Sequence, residues 1–170
     1  MRDENIKKAA RKIEVGANIA IIIVALAIVV AFARNYKSNQ SQPHQIKTGV
    51  QFGLKDINWQ GNDKSMVLVL STTCHFCTES AGFYRELVGL CQRQHVRIVA
   101  VFPQPTNAAQ SYLADKGLAV DEIRESSLSN IEVSGTPTLL LIDKKGIVQS
   151  VWVGKLSEDR EREILAKLGS

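Results

Sequence analysis

The sequence predicts a small α/β domain carried behind a single membrane-spanning helix. Three features lead to this class. Residues 15–33, VGANIAIIIVALAIVVAFA, form an apolar run without a formal charge. Residues 65–71 and 96–102 are short apolar runs rich in Val and Ile, and helical spacing of apolar residues follows the first of them. Residues 138–153 read as a strand, a turn and a second strand.

The apolar run has the reach of a membrane span. At 1.5 Å per residue its length is about 28 Å, close to the ~30 Å hydrocarbon core. Only Asn18 is strongly polar, and residues 19–33 lack the polar face that a buried soluble helix carries. Residues 1–14 hold five basic against three acidic side chains, which the positive-inside rule leaves in the cytoplasm. The expected layout is a cytoplasmic tail at 1–14, an anchor at 15–33, a polar tether at 34–45 and a domain at 46–170. That domain then faces the periplasm or cell exterior from a single-pass anchor in the bacterial inner (cell) membrane. Ala31-Phe32-Ala33 also fits a signal-peptide cleavage pattern, so removal of the segment is the alternative. The run exceeds the usual h-region of about 7–15 residues, which favours an uncleaved anchor.

Charge and composition exclude several classes. The net charge of +4 and pI of 9.0 suggest nucleic acid at first sight. From residue 46 onward, however, 14 basic residues face 14 acidic ones, so the basic excess belongs to the N-terminus. Hydrophobic residues at 45% exclude wholesale disorder, and three cysteines are too few for a disulfide scaffold.

Within the domain, residues 48–54 and 56–59 are expected as short edge strands. Residues 65–71, SMVLVLS, have the continuous apolar pattern of a strand buried on both faces. From Cys74 to Gln92, residues Cys77, Ala81, Tyr84, Leu87, Val88 and Cys91 fall at helical spacing and predict one long helix. Residues 96–102, VRIVAVF, form a second buried strand closed by Pro103 and Pro105. A helix over 107–116 ends at Gly117. Residues 138–143, TLLLID, lead through Asp143-Lys144-Lys145-Gly146 into a partner strand at 147–153. Ser157 caps a last helix with Leu165 and Leu168 facing inward. The order is β-α-β-α-β-β-α, with a central parallel pair and a C-terminal hairpin.

The chemistry lies in Cys74-His75-Phe76-Cys77. A Cys-x-x-Cys pair at a helix start forms a reversible disulfide, and the free N–H groups there stabilise the thiolate of Cys74. Cys77, one turn on, faces inward and is suited to resolve a mixed disulfide. A protonated His75 adds positive charge beside Cys74. The alternatives are a structural disulfide, a chance pair or a zinc site. Zinc needs four ligands, and neither a second CxxC nor an HxxxH is present. Cys91 reads as a small buried hydrophobe, the alternative being a third redox thiol. His44 and His95 read as surface residues, and Trp59 and Trp152 as packing residues.

The strand, the CHFC helix and the run GTPTLLLIDKKGIVQSVWVG (135–154) resemble the thioredoxin superfamily. The similarity is strongest to its membrane-tethered extracytoplasmic TlpA- and ResA-like thiol-disulfide oxidoreductases. The resemblance spans about residues 47–169. It implies a thioredoxin-like fold, a central mixed sheet flanked by helices. It also implies Cys74 as nucleophile, Cys77 as resolving thiol, Pro137 as a cis-proline, and Thr136 as the residue whose backbone pairs with bound peptide. His75 and Phe76 complete the substrate-contacting set. Two positions depart from the pattern. Thr73 stands where many members have Trp, and Leu68 stands where thioredoxin has a buried Asp that accepts the Cys77 proton. Glu79 is the nearest acid in sequence, or simply a solvated residue.

The expected activity is disulfide exchange with protein thiol and disulfide substrates, aided by a membrane redox partner, with no cofactor and no nucleic acid. A non-catalytic binding or metal-delivery module of the same fold is the rival from another class.

Overall fold

The computed structural model describes residues 46–169. The expected tail, anchor and tether lie outside these residues. Among the described residues, no helix is long and apolar enough to cross a membrane.

The elements are β1 (Lys64–Val69), α1 (His75–Glu79), α2 (Ala81–Arg93), β2 (Arg97–Phe102), α3 (Thr106–Lys116), β3 (Glu122–Glu125), β4 (Thr138–Asp143), β5 (Val148–Val153) and α4 (Glu158–Gly169). The sheet runs β3-β2-β1-β4-β5. Strand β1 is parallel to β2 and antiparallel to β4, β2 is parallel to β3, and β4 is antiparallel to β5. The expected parallel pair and C-terminal hairpin are both present.

Strand periodicity divides the core. Met66, Leu68 and Leu70 point to one face, where they meet Cys77, Tyr84, Leu87 and Cys91, Tyr112 and Leu113 of α3, and Ile164 and Leu168 of α4. Val67 and Val69 point to the other face. Irregular chain covers that face: Ile46, Phe52 and Trp59 from one segment, Ile131 and Val133 from another. The Phe52 and Trp59 rings meet edge to face at 6.2 Å.

Four expectations need correction or completion. The segments 48–54 and 56–59 are not strands: Gln51 makes one isolated bridge to Ile147, and positive φ at Gly49 (83°) and Asp56 (57°) breaks any extended run. The long helix from Cys74 is two helices, because Ser80 has ψ of 3°, away from the helical value of about −42°. Strand β3, EIRE, went unexpected; with Ile123 its only apolar residue, it is held by pairing with β2 and by ion pairs of Glu122 to Arg97 and Arg124. In α4 Leu165 and Leu168 both pack on the core, but the most buried residue, Ile164, one turn before Leu168, was not among those expected.

Candidate active site

Strand β1 delivers the chain to the Cys pair. Its ladder ends at Val69, and Leu70 N–H still donates to Val101 at 2.9 Å. The chain then turns: Cys74 N–H donates to the Ser71 carbonyl at 3.1 Å. Cys74 is the cap of α1, extended at φ −83°, ψ 114°, and Thr78 N–H donates to its carbonyl. This places the Cys74 sulfur over the start of the helix, where it accepts the Cys77 N–H at 3.1 Å.

On its other side the Cys74 thiol donates to the Thr136 carbonyl at 3.4 Å. Thr136-Pro137 is a cis peptide, as the resemblance implied. Two bonds fix this loop: Thr138 Oγ1 donates to Gly135 O, and Gly154 N–H to Pro137 O, both at 2.8 Å. Four sequence-predicted site residues, Cys74, Cys77, Thr136 and Pro137, thus come from two distant segments to one place.

The two thiols differ electrostatically. At Cys74, burial pushes the pKa up, but hydrogen bonds from Cys77, from the Thr136 hydroxyl and from the Cys77 and Phe76 N–H groups outweigh it and leave it below the ordinary thiol value. These local donors do the work of the expected helix dipole, since α1 has only 5 residues before the break at Ser80. At Cys77, burial is the largest effect; with the hydrogen bond to Cys74 it pushes the thiol up to about 12. Leu68 is completely buried in the same cluster, so apolar carbon occupies the place where the resemblance has an acid.

His75 and Phe76 project outward. The His75 imidazole sits 3.0 Å from Glu79, whose other oxygen accepts from Lys155 at 2.9 Å. Glu79 is therefore a surface ion-pair partner. Phe76 is 53% exposed, its ring 5.8 Å from that of His75 and its N–H directed to the Cys74 sulfur. Trp59 and Trp152 are buried packing residues, and His95 is exposed. His44 lies outside the described residues. Cys91 is fully buried, and burial pushes its thiol up to about 12. Among the described residues no three His, Cys, Asp or Glu side chains converge on a metal site.

Sequence reasoning did not single out Ser71, Gln104, Gly154 or Lys155. Gly154 and Lys155 follow the hairpin, and only the fold brings them to Pro137 and Glu79.

Solved structures share this fold. Over 74% of this chain and all of its own, a protein proposed to be the thiol:disulfide interchange protein DsbE of Chlorobium tepidum matches with TM-score 0.57 and 22% identity. A thiol:disulfide interchange protein from a Bacteroides species matches 72% of this chain and 86% of its own, with TM-score 0.55 and 11% identity. The thioredoxin domain of a thiol-disulfide oxidoreductase from Bacteroides vulgatus matches 73% and 93%, with TM-score 0.53 and 14% identity. No family model and no curated protein matches this sequence. The fold is thioredoxin-like: a mixed five-stranded sheet with helices packed on it and the Cys pair at the end of its central strand.

Proposed function

We propose that this protein is a thiol-disulfide oxidoreductase, anchored through residues 15–33 and acting on protein substrates outside the cytoplasm. One observation carries the chemistry. A half-exposed Cys74 sulfur with a lowered pKa stands directly over a buried, protonated Cys77, beside Thr136-Pro137.

The Cys74 thiolate attacks one sulfur of a substrate disulfide. A Cys74–substrate S–S bond forms as the substrate bond breaks, and the other substrate sulfur leaves as thiolate. Cys77 then loses its proton to the solvent or leaving group and attacks the Cys74 sulfur. The Cys74–Cys77 bond forms, and the substrate leaves with both electrons. The reverse sequence oxidises a substrate dithiol. The exposed Phe76 ring and the Thr136 backbone offer an apolar contact and a main-chain contact to the peptide around the target sulfur. A stabilised Cys74 thiolate favours the reduced pair, which makes it more oxidising than thioredoxin at about −270 mV.

The test is a redox titration of the Cys74/Cys77 pair against dithiothreitol, with trapping of substrate by Cys77→Ser. A two-electron transition and trapped mixed disulfides are expected. A pair that never cycles would make the chain a non-catalytic binding module. For topology, a periplasm-dependent reporter fused after Ser170 is expected to be active and to resist an alkali wash. A soluble mature form starting at Arg34 would replace the anchor with a cleaved signal.

A further inference from the structure

The turn before Cys74 is held from outside its own sequence. Gln104 lies between Pro103 and Pro105, whose rings fix φ on both sides of it in the segment after β2. Its side chain reaches back 33 positions. Gln104 Nε2 donates to Ser71 Oγ at 2.8 Å, and Gln104 Oε1 accepts the Thr72 N–H at 3.3 Å. The Thr72 N–H can only donate, so it fixes Oε1 toward the backbone and leaves the NH2 group for Ser71.

Ser71 is the node of this network. Its Oγ, on a residue only 8% exposed, also accepts the Thr73 N–H at 3.3 Å. Both lone pairs are then occupied, so its own hydrogen goes to Thr73 Oγ1 at 3.1 Å. The Ser71 carbonyl takes the Cys74 N–H at 3.1 Å. The consecutive N–H groups of Thr72, Thr73 and Cys74 are all satisfied, by Gln104 and Ser71 alone. This closes the turn in which the Cys74 sulfur meets the Cys77 N–H.

We propose that Gln104 is a positioning residue for the Cys74 sulfur, acting through Ser71. It touches neither thiol. Its amide orients the Ser71–Cys74 turn so that the sulfur stays over the first N–H groups of α1, where the anion is stabilised. Without it the turn samples conformers in which those donors miss the sulfur, and the thiolate fraction falls.

The inference rests on the reading of Cys74 as nucleophile, and its test separates the two. In the full-length protein, iodoacetamide rates at Cys74 are measured against pH for the parent, Gln104→Ala, Ser71→Ala and the double variant, alongside thermal melts. Gln104→Ala is expected to shift the profile to higher pH, with alkylation at about pH 6 slowed about threefold or more, half a pKa unit. Ser71→Ala should shift it the same way, and the double variant should add little, because the two act as one unit. Gln104→Met keeps the volume without the hydrogen bonds and should behave like Gln104→Ala. An unmoved profile with only a lower melting temperature would overturn the proposal. A parent Cys74 that fails to react below the free-thiol range would instead overturn the oxidoreductase reading.

Discussion

The Cys74 sulfur and the Thr136 carbonyl oxygen stand 3.4 Å apart, although 62 positions separate them in the chain. The thiol uses that oxygen as an acceptor; the thiolate gives it up and keeps the donors from α1. Cys74 should therefore alkylate with an apparent pKa below the ordinary thiol value of 9.0. Cys77 should stay inert until pH approaches about 12. Iodoacetamide rates on Cys77→Ser and Cys74→Ser check this, and Cys77 reacting first would reverse the assigned roles. Cys74→Ser should abolish disulfide exchange.

Stability of the reduced protein should fall in alkali. Cys77 and Cys91 remain protonated in the fold up to about 12, against an ordinary value of 9.0. Above 9.0 the unfolded chain binds fewer protons than the folded one, so stability is lost as pH rises through this window. The slope is at most about 1.4 kcal/mol per pH unit for each thiol. Cys74, with its lowered pKa, acts oppositely and adds stability as pH rises from its folded value towards 9.0. Denaturant midpoints of Cys91→Val should decline less steeply than those of the parent above about pH 9. Parallel slopes would mean that Cys91 ionises freely in the fold.

Both oxygens of Glu79 are engaged, one with His75 and the other with Lys155, which argues against it as the proton acceptor for Cys77. The Lys155 contact holds its carboxyl below the usual carboxylate range. Glu79→Gln should leave the rate of Cys77 attack on a Cys74 mixed disulfide within about twofold of the parent. A true proton acceptor would cost about 100-fold or more. Rapid-mixing kinetics on a preformed mixed disulfide decide between them.

Gly146 closes the β4–β5 turn at φ 79°, and a Cβ there would lie 2.4 Å from Gln51 Nε2 and 2.8 Å from Trp59 Cδ1. Gly146→Ala should destabilise the domain by more than about 1 kcal/mol, through strain and through displacement of the Trp59 cover. Gly61→Ala, where a Cβ meets nothing within 4 Å, should stay within about 0.5 kcal/mol. Chemical denaturation of the two variants gives the comparison.

The strands that were legible in sequence are those whose burial is written into consecutive residues. The runs at β1, β2 and β4 are apolar at four or five of their six positions because both faces of the sheet are covered. Strand β3 has no such signal, since its stability comes from the neighbour it pairs with. The break at Ser80 was hidden because helical periodicity runs through it: Cys77, Ala81 and Tyr84 are all buried. Of the site, the Cys pair and the Thr136-Pro137 loop carry local motifs. Gln104 and Ser71 do not, for their contact spans 33 positions and belongs to tertiary structure alone.

The two rims of the sheet are blunted in different ways, one by charge and one by a short pairing at its start. Strand β3 presents Glu122, Arg124 and Glu125 along one rim. Along the other, Gly49 and Val50 bond to Val148 of β5, and Gln51 bridges to Ile147. The charged β3 rim and the covered start of β5 are therefore poor templates for strand addition by a second molecule. At these two stretches the sheet resists growing from one copy into the next, while the half-exposed Cys74 stays available for encounters with other chains.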